Sequence, residues 1–306
     1  MARELGQPRN LAIAADDTLD SGRATPVRRP TSARALQRIA IYVVLILGAL
    51  VVLFPLIWML SSSLKQKSDI FTFPPSWIPS PILWSNYPRG LETMQFPMAL
   101  RNTLLIAIPC VIGQVLSCSL VGYGLARFRF RGRDALFILV LATLMLPTQV
   151  TIIPTFIIFS KLGMVDSFWP FWLPAFTATS GFNIFLFRQF FLTISPEIED
   201  AARIDGAGPF AIFWRIFLPL SKPVFAAVAL FSFLFYWNDF FGPLIYLPST
   251  QNKTLQLMLM SFQQFHTTDW GPMMAASLVI IIVPLVIFFF AQRTFIQGVV
   301  FTGIKE

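Results

Sequence analysis

Residues 196–219 read PEIEDAARIDGAGPFAIFWRIFLP, a polar stretch able to form a helix and set between two apolar runs. Ser195 is a good N-cap, Pro196 suits a first helical position whose N–H has no partner anyway, and Glu197 and Glu199 complement the positive helix end. Gly206 stands where a helix C-terminus takes a left-handed residue, so a short helix begins at 196 and ends by 206. Glu199 and Arg203 are spaced i, i+4 for an ion pair. Helical spacing puts Ile198, Ala201, Ala202 and Asp205 on one face and Glu199, Asp200 and Arg203 on the other, which offers a ridge of small residues for close packing. Gly208-Pro209 then starts a second helix carrying Phe210, Phe213 and Trp214.

The sequence around this island is apolar. Of 306 residues, 56% are hydrophobic and only 12% charged, and the mean hydropathy is +0.68; this is the composition of an integral membrane protein. A bilayer core takes roughly 20 apolar residues per helix. Six stretches qualify, at 39–60, 103–125, 135–157, 168–190, 220–246 and 271–292. The expected fold is all-α, with six transmembrane helices in one domain over 39–306 and the polar loop 195–219 within it. Residues 1–38, rich in Arg, Asp, Pro and Ala without apolar periodicity, have the profile of a disordered tail. The first apolar stretch is longer than a signal-peptide core and Ser61-Ser62-Ser63 is a weak cleavage site, so it reads as an uncleaved helix.

Six spans leave both termini on one side, and basic residues say which. Arg127, Arg129, Arg131 and Arg133 crowd one short loop; Arg188, Arg203, Arg215, Lys222, Arg293 and Lys305 share its side, as does the basic tail. Lys65, Lys67, Arg89, Arg101, Lys161 and Lys253 lie on the other. The bias makes both termini, and with them the 195–219 loop, cytoplasmic. The same cluster reads as a topology anchor against anionic lipid rather than a nucleic-acid patch, despite a net charge of +8. Trp58, Trp169, Trp172 and Trp270 fall near span ends as an interfacial belt. Cys110 and Cys118 share one apolar run and imply no disulfide framework. His266 is the single histidine, in an outer loop without partner ligands for a metal.

Asp200-Ala201-Ala202, three residues, Gly206, nine residues and Ile216-Phe217-Leu218-Pro219 resemble the EAA loop, E-A-A-x3-G-x9-I-x-L-P, of permeases of binding-protein-dependent ABC importers. Asp200 replaces the family's Glu, keeping the charge while shortening its reach by a methylene. The segments GYGLARFRFRG at 122–132, LPTQVTIIP at 146–154, FYWNDFFGPL at 235–244 and TTDWGPMMAAS at 267–277 are similar to the maltose-type, carbohydrate-importer branch, so the resemblance covers nearly everything from residue 40 onward. The chain departs from it at Lys305-Glu306, where a Lys-Gly ending is usual. The resemblance implies a type I importer permease fold in which Glu199, Asp200, Ala201, Ala202, Arg203, Asp205, Gly206, Ile216, Leu218 and Pro219 form a coupling loop seated in a cleft of an ATPase. It implies partners too: a homologous second permease, two cytoplasmic ATPase subunits and an extracytoplasmic solute-binding protein, in a prokaryotic plasma membrane. Carbohydrate or polyol-type solutes are the implied cargo, and no nucleic acid is involved.

No G-x-x-x-x-G-K-[ST] phosphate loop occurs, so ATP and Mg belong to a partner chain, and no cofactor, metal or catalytic residue is expected here. Counted from Pro223 at about 1.5 Å per residue, Asn238 and Asp239 reach the outer half of the bilayer core. An ionisable residue at that depth faces a cavity or a partner. Two readings stand: the pair lines a translocation path and hydrogen-bonds a hydroxyl-rich solute, or it braces the fifth span against a neighbour. Thr148, Gln149 and Thr151, between Pro147 and Pro154, either flank the same path or mark a packing kink. A secondary transporter calls for inverted repeats and coupling-ion sites, and a membrane enzyme for clustered catalytic side chains; neither pattern is seen.

Overall fold

The computed structural model describes residues 32–263 and 268–300, without the side chains of 32–35, 148 and 293–300. Residues 1–31 of the expected tail, His266 and Lys305-Glu306 lie outside the described residues. Among those described, the chain is helical, with a single isolated bridge between Gln263 and Thr268 in place of a sheet.

The chain divides into two units, Met1–Phe54 and Pro55–Glu306. The first holds most of helix α1 (Ser32–Ser63), which begins at Ser32, so that the tail boundary drawn at 38 falls inside a helix. Its apolar part, Leu36–Ser63, is exposed over most of its length and buried only at its end, at Ser62 and Ser63.

The second unit carries α2 (Asn86–Thr93), α3 (Phe96–Arg127), α4 (Arg133–Thr143), α5 (Thr148–Lys161), α6 (Trp169–Phe176) and α7 (Gly181–Thr193). After these come α8 (Pro196–Ile204), α9 (Pro209–Ile212), a π-helical turn (Phe213–Phe217) and α10 (Leu218–Leu220). The chain then forms α11 (Lys222–Trp237), α12 (Phe241–Tyr246), α13 (Leu255–Met258) and α14 (Trp270–Val300). Helix α3 is the spine, packed on α6, α7 and α11. It starts behind Pro97 and stops where Phe128 turns extended (ψ 137°).

Three described helices are long and apolar enough to cross a bilayer: Leu36–Ser63, Phe96–Arg127 and Trp270–Gln292. A fourth arises if Pro209–Leu220 and Lys222–Trp237, bent by 81°, count as one span. The sequence pattern of six apolar runs is thus not matched by six unbroken helices, because local chemistry interrupts three of the runs. Pro147, extended at ψ 132°, separates α4 from α5; a proline has no N–H for the helix ladder and pushes the preceding residue out of the α region. Between α6 and α7, Ala178 adopts φ +54° and Ser180 caps the new helix, its Oγ accepting the Asn183 N–H at 3.3 Å. Between α11 and α12, Asn238 ends one helix and the Asp239 carboxylate accepts the Gly242 N–H at 3.1 Å, a competing local bond of the kind that stops helices.

One apolar core joins the last turns of α3 and α7 to the polar loop: Tyr123, Phe187, Phe191, Ala202, Ile212, Phe213 and Phe217 are all buried in it.

Candidate functional site

The three interruptions meet. Thr143, Leu144 and Leu146 from the first, Thr179, Ser180 and Gly181 from the second and Asp239 and Gly242 from the third line a single cavity of about 610 Å³. Continuous helix supplies the rest of the polar wall: Gln114 of α3, Asn183 of α7, and Ser232 and Tyr236 of α11. Gln114, Asn183 and Ser232 are almost wholly buried, and they are tied together. Asn183 Nδ2 donates to Gln114 Oε1 at 3.3 Å and to Ser232 Oγ at 3.2 Å, while Gln114 Nε2 donates to Tyr236 Oη at 3.4 Å. Cys118 Sγ donates to the same Gln114 oxygen at 3.1 Å. Buried amides held this way keep a fixed orientation, and a solute hydroxyl entering the cavity meets preset donors and acceptors.

Asp239 is half cap and half wall. Its Oδ1 holds the first turn of α12 through Gly242, and no ion pair to it exists among the described residues. Gly242 is required by space: a Cβ there meets the Phe171 ring at 2.8 Å as well as the Asp239 carboxylate. Asn238, expected beside Asp239 on the same path, instead faces outward, where its Nδ2 donates to Leu234 O at 2.8 Å and its Oδ1 accepts from Gln256 at 3.4 Å. Gln149 and Thr151 are exposed on the first turns of α5 and do not line the cavity; the side chain of Thr148 lies outside the described residues. Of the four polar residues singled out within the spans whose side chains are described, only Asp239 is brought to the cavity wall. Gln114, Asn183, Ser232 and Tyr236 were passed over because each sits inside an apolar run. The signal that picked out Asp239, a polar side chain where lipid or core is expected, is present at 114, 183 and 232 too.

The 195–219 loop forms as its local chemistry dictates. Ser195 Oγ accepts the Glu197 N–H at 3.3 Å, and Arg203 donates to Glu199 Oε1 at 2.6 Å. Gly206 sits at φ +82°, with its N–H on Arg203 O and the Ala207 N–H on Ala202 O, the paired bonds of a Schellman cap. The facing differs from the split drawn on the helical wheel. Glu199 (5% exposed) and Ala202 (9%) turn inward, whereas Ile198, Asp200, Ala201, Ile204, Asp205 and Gly206 turn outward. The physical reason is Arg127, whose side chain is 8% exposed and whose Nε stands 3.7 Å from Glu199 Oε2. In the I-F-L-P segment it is the intervening Phe217 that is fully buried, while Ile216 and Leu218 are half-buried and Pro219 is exposed.

Residues 119–300 match the family described as binding-protein-dependent transport system inner membrane component, and the chain belongs to that family. It is 34% identical over 267 residues to the sn-glycerol-3-phosphate transport system permease protein UgpE of Yersinia pestis bv. Antiqua (strain Antiqua), covering 85% of this chain and 94% of the relative. It is 32% identical over 270 residues to the "Probable ABC transporter permease protein YurM" of Bacillus subtilis (strain 168), covering 87% and 88%. A crystal structure of a bacterial ABC transporter involved in the import of the acidic polysaccharide alginate matches with a TM-score of 0.73 at 25% identity, over 87% of this chain and 98% of that one. A second, of a bacterial alginate ABC transporter in complex with alginate pentasaccharide-bound periplasmic protein, matches at 0.61 with 17% identity and shows the fold alone. The chain is therefore a multi-pass inner-membrane permease component with the type I ABC permease fold, a transport subunit and not an enzyme.

Proposed function

We propose that this chain forms half of the transmembrane path of an ATP-driven importer for a carbohydrate or polyol-type solute and is driven through its 195–219 loop by a separate ATPase. The observation that carries this reading is the convergence of three helix interruptions on one cavity whose wall holds a hydrogen-bonded set of amides and hydroxyls. Broken backbone at membrane depth is tolerated where it lines a cavity or is buried in protein, and transporters place their solute sites at such breaks. The wall is largely apolar, and the polar groups set into it are mostly neutral amides and hydroxyls, a combination that suits the apolar faces and hydroxyls of a sugar-type solute. Asp239 belongs to this path, with Asn238, Thr148, Gln149 and Thr151 flanking it at two of the same breaks.

Six spans follow from joining α4 to α5, α6 to α7, and α11 to α12 across their interruptions, with α1, α3 and α14 as the unbroken three. Both termini are then cytoplasmic, as the arginine bias requires, and the 195–219 loop lies on the cytoplasmic side. The outward residues of that loop, Asp200, Ala201, Asp205 and Gly206, dock on the ATPase, while Glu199, Ala202 and Arg203, with Ile216, Leu218 and Pro219, hold it to the permease. The working unit contains a second homologous permease, two ATPase subunits that use ATP and Mg, and an extracytoplasmic solute-binding protein, in a prokaryotic plasma membrane. This chain binds no cofactor. The N-terminal segment to residue 38 is a cytoplasmic tail outside the permease domain.

The test is uptake of a labelled neutral oligosaccharide by vesicles holding the whole complex. Asp239→Asn and Gln114→Ala lower the apparent affinity or change the solute profile if the cavity is the path. Transport by Asp239→Asn with affinity and profile unchanged assigns Asp239 to bracing α12. Uptake by this chain without any ATPase subunit overturns the importer reading itself.

A further inference from the structure

Arg127 ends α3 and touches four residues on three separate pieces of chain. Its guanidinium donates to the main-chain carbonyls of Phe191 and Ile194, where α7 ends, and lies 4.8 Å from the centre of the Phe217 ring in the π-helical turn. Its fourth neighbour is Glu199 of α8, whose Oε2 stands 3.7 Å from Nε. That Nε is buried and has no hydrogen-bond partner. The other carboxylate oxygen of Glu199 is held by Arg203. One turn back on α3, Tyr123 Oη donates to Pro209 O at 3.4 Å and its ring packs 4.9 Å from Phe217. The last turns of α3 thus hold α8 through Arg127 and the segment after it through Tyr123.

The same helix reaches the cavity. Gln114, which bonds Asn183 and Tyr236, lies thirteen residues before Arg127 on α3, about 20 Å along a rigid rod. We infer that Arg127 is a positioning residue that carries displacement of α8 into α3, and so to the Gln114 corner of the cavity, through its buried ion pair with Glu199. The pair is poised to respond. A buried donor without a partner is unfavourable, and closing the contact to hydrogen-bond length takes a shift of only about 1 Å. A push on the exposed face of α8 moves Glu199 toward Arg127 and completes the bond, whereas release leaves a longer ion pair. Buried charged groups among aromatic rings are coupled more stiffly than the exposed Arg129 and Arg131 in the adjoining loop, for which no ion pair exists among the described residues.

This inference rests on reading α8 as the ATPase-docking helix, and the experiment separates the two. The complete complex, with binding protein, is reconstituted, and solute moved per ATP hydrolysed is measured for Arg127→Lys, Glu199→Gln and the double variant. Each single variant is expected to lower that ratio by about tenfold while the ATPase subunit still co-purifies, and the double variant is expected to be no worse than either single one. Glu199→Gln retains shape and hydrogen-bonding capacity, so it tests the charge even if changes at 127 impair assembly. An unchanged ratio in Glu199→Gln, or losses that add in the double variant, overturns the inference. Loss of ATPase binding in Glu199→Gln also overturns it, because Glu199 then serves the docking surface directly. Ala201→Trp, on the outward face of α8, tests the docking reading alone: normal uptake and co-purification by that variant refute docking whatever Glu199 does.

Discussion

The 195–219 loop and the cavity are built on opposite plans. The loop is assembled from consecutive residues, its first helix is capped at both ends, and its Phe213 and Phe217 are buried against Phe191 of α7. The cavity takes scattered residues from α3, α7 and α11 and from three breaks in the backbone, and leaves about 610 Å³ empty. A part that passes on movement has to be close-packed, because only contacts already at van der Waals distance transmit a displacement without absorbing it. A part that passes a solute needs volume and hydrogen-bonding groups, and both exist only where regular helix is given up.

Substitutions that exchange these properties test the contrast. The largest effect is expected from Gly206→Trp, which places a bulky residue at φ +82° on the outward end of α8. The left-handed conformation alone costs an L-residue about 1–2 kcal/mol, and the indole holds the docking surfaces apart. Uptake is abolished, while Gly206→Asn, which tolerates that conformation, retains much of it; normal uptake by Gly206→Trp breaks the assignment of the loop. Next comes Gly242→Val, which fills the cavity rim where a Cβ already meets the Phe171 ring at 2.8 Å. Overpacking of this kind destabilises by about 1–3 kcal/mol, so uptake by the assembled complex drops roughly tenfold while the ATPase remains bound; full uptake shows that the rim is free to move aside.

Asn183→Ala should act more gently. It strips Gln114 and Ser232 of a shared donor, a loss of about 1–2 kcal/mol that appears as a weaker apparent affinity in transport assays. An unaltered affinity places the solute elsewhere in the path. The smallest effect belongs to Ser195→Ala, which removes the cap on Glu197 N–H and frays the first turn of α8 by about 1 kcal/mol. Faster hydrogen exchange at the Glu197 amide with uptake lowered no more than about twofold is the expected pair of results. A total loss of uptake makes the cap part of the docking surface.

Much of the loop was legible in sequence because its determinants lie within a few residues of each other. Ser195, Pro196, the Glu199–Arg203 spacing and Gly206 each act on backbone at most a turn away. What misled the helical wheel was Glu199: by polarity it belongs to the solvent face, but a buried guanidinium from the end of α3 awaits it. Arg127 itself read as one of four equivalent loop arginines, and nothing local separates it from Arg129 or Arg131. The spans behaved likewise. Apolar runs announced membrane helices and Pro147 marked one kink; Asp239 stood out as an ionisable residue and not as a break, and the break at Ala178 depends on a left-handed conformation that no residue type there demands.

Taken by itself, the sequence determined that the chain belongs in a membrane and that a capped helix ends at Gly206. These follow from composition and from spacing, both short-range properties of the string. Tertiary structure alone decided that three breaks share one cavity, that Gln114, Asn183 and Ser232 form one hydrogen-bonded wall, and that Glu199 points toward Arg127. Each of these joins residues far apart in the chain, and their meeting is governed by how α3, α7 and α11 pack, which pairwise spacing along a sequence does not encode.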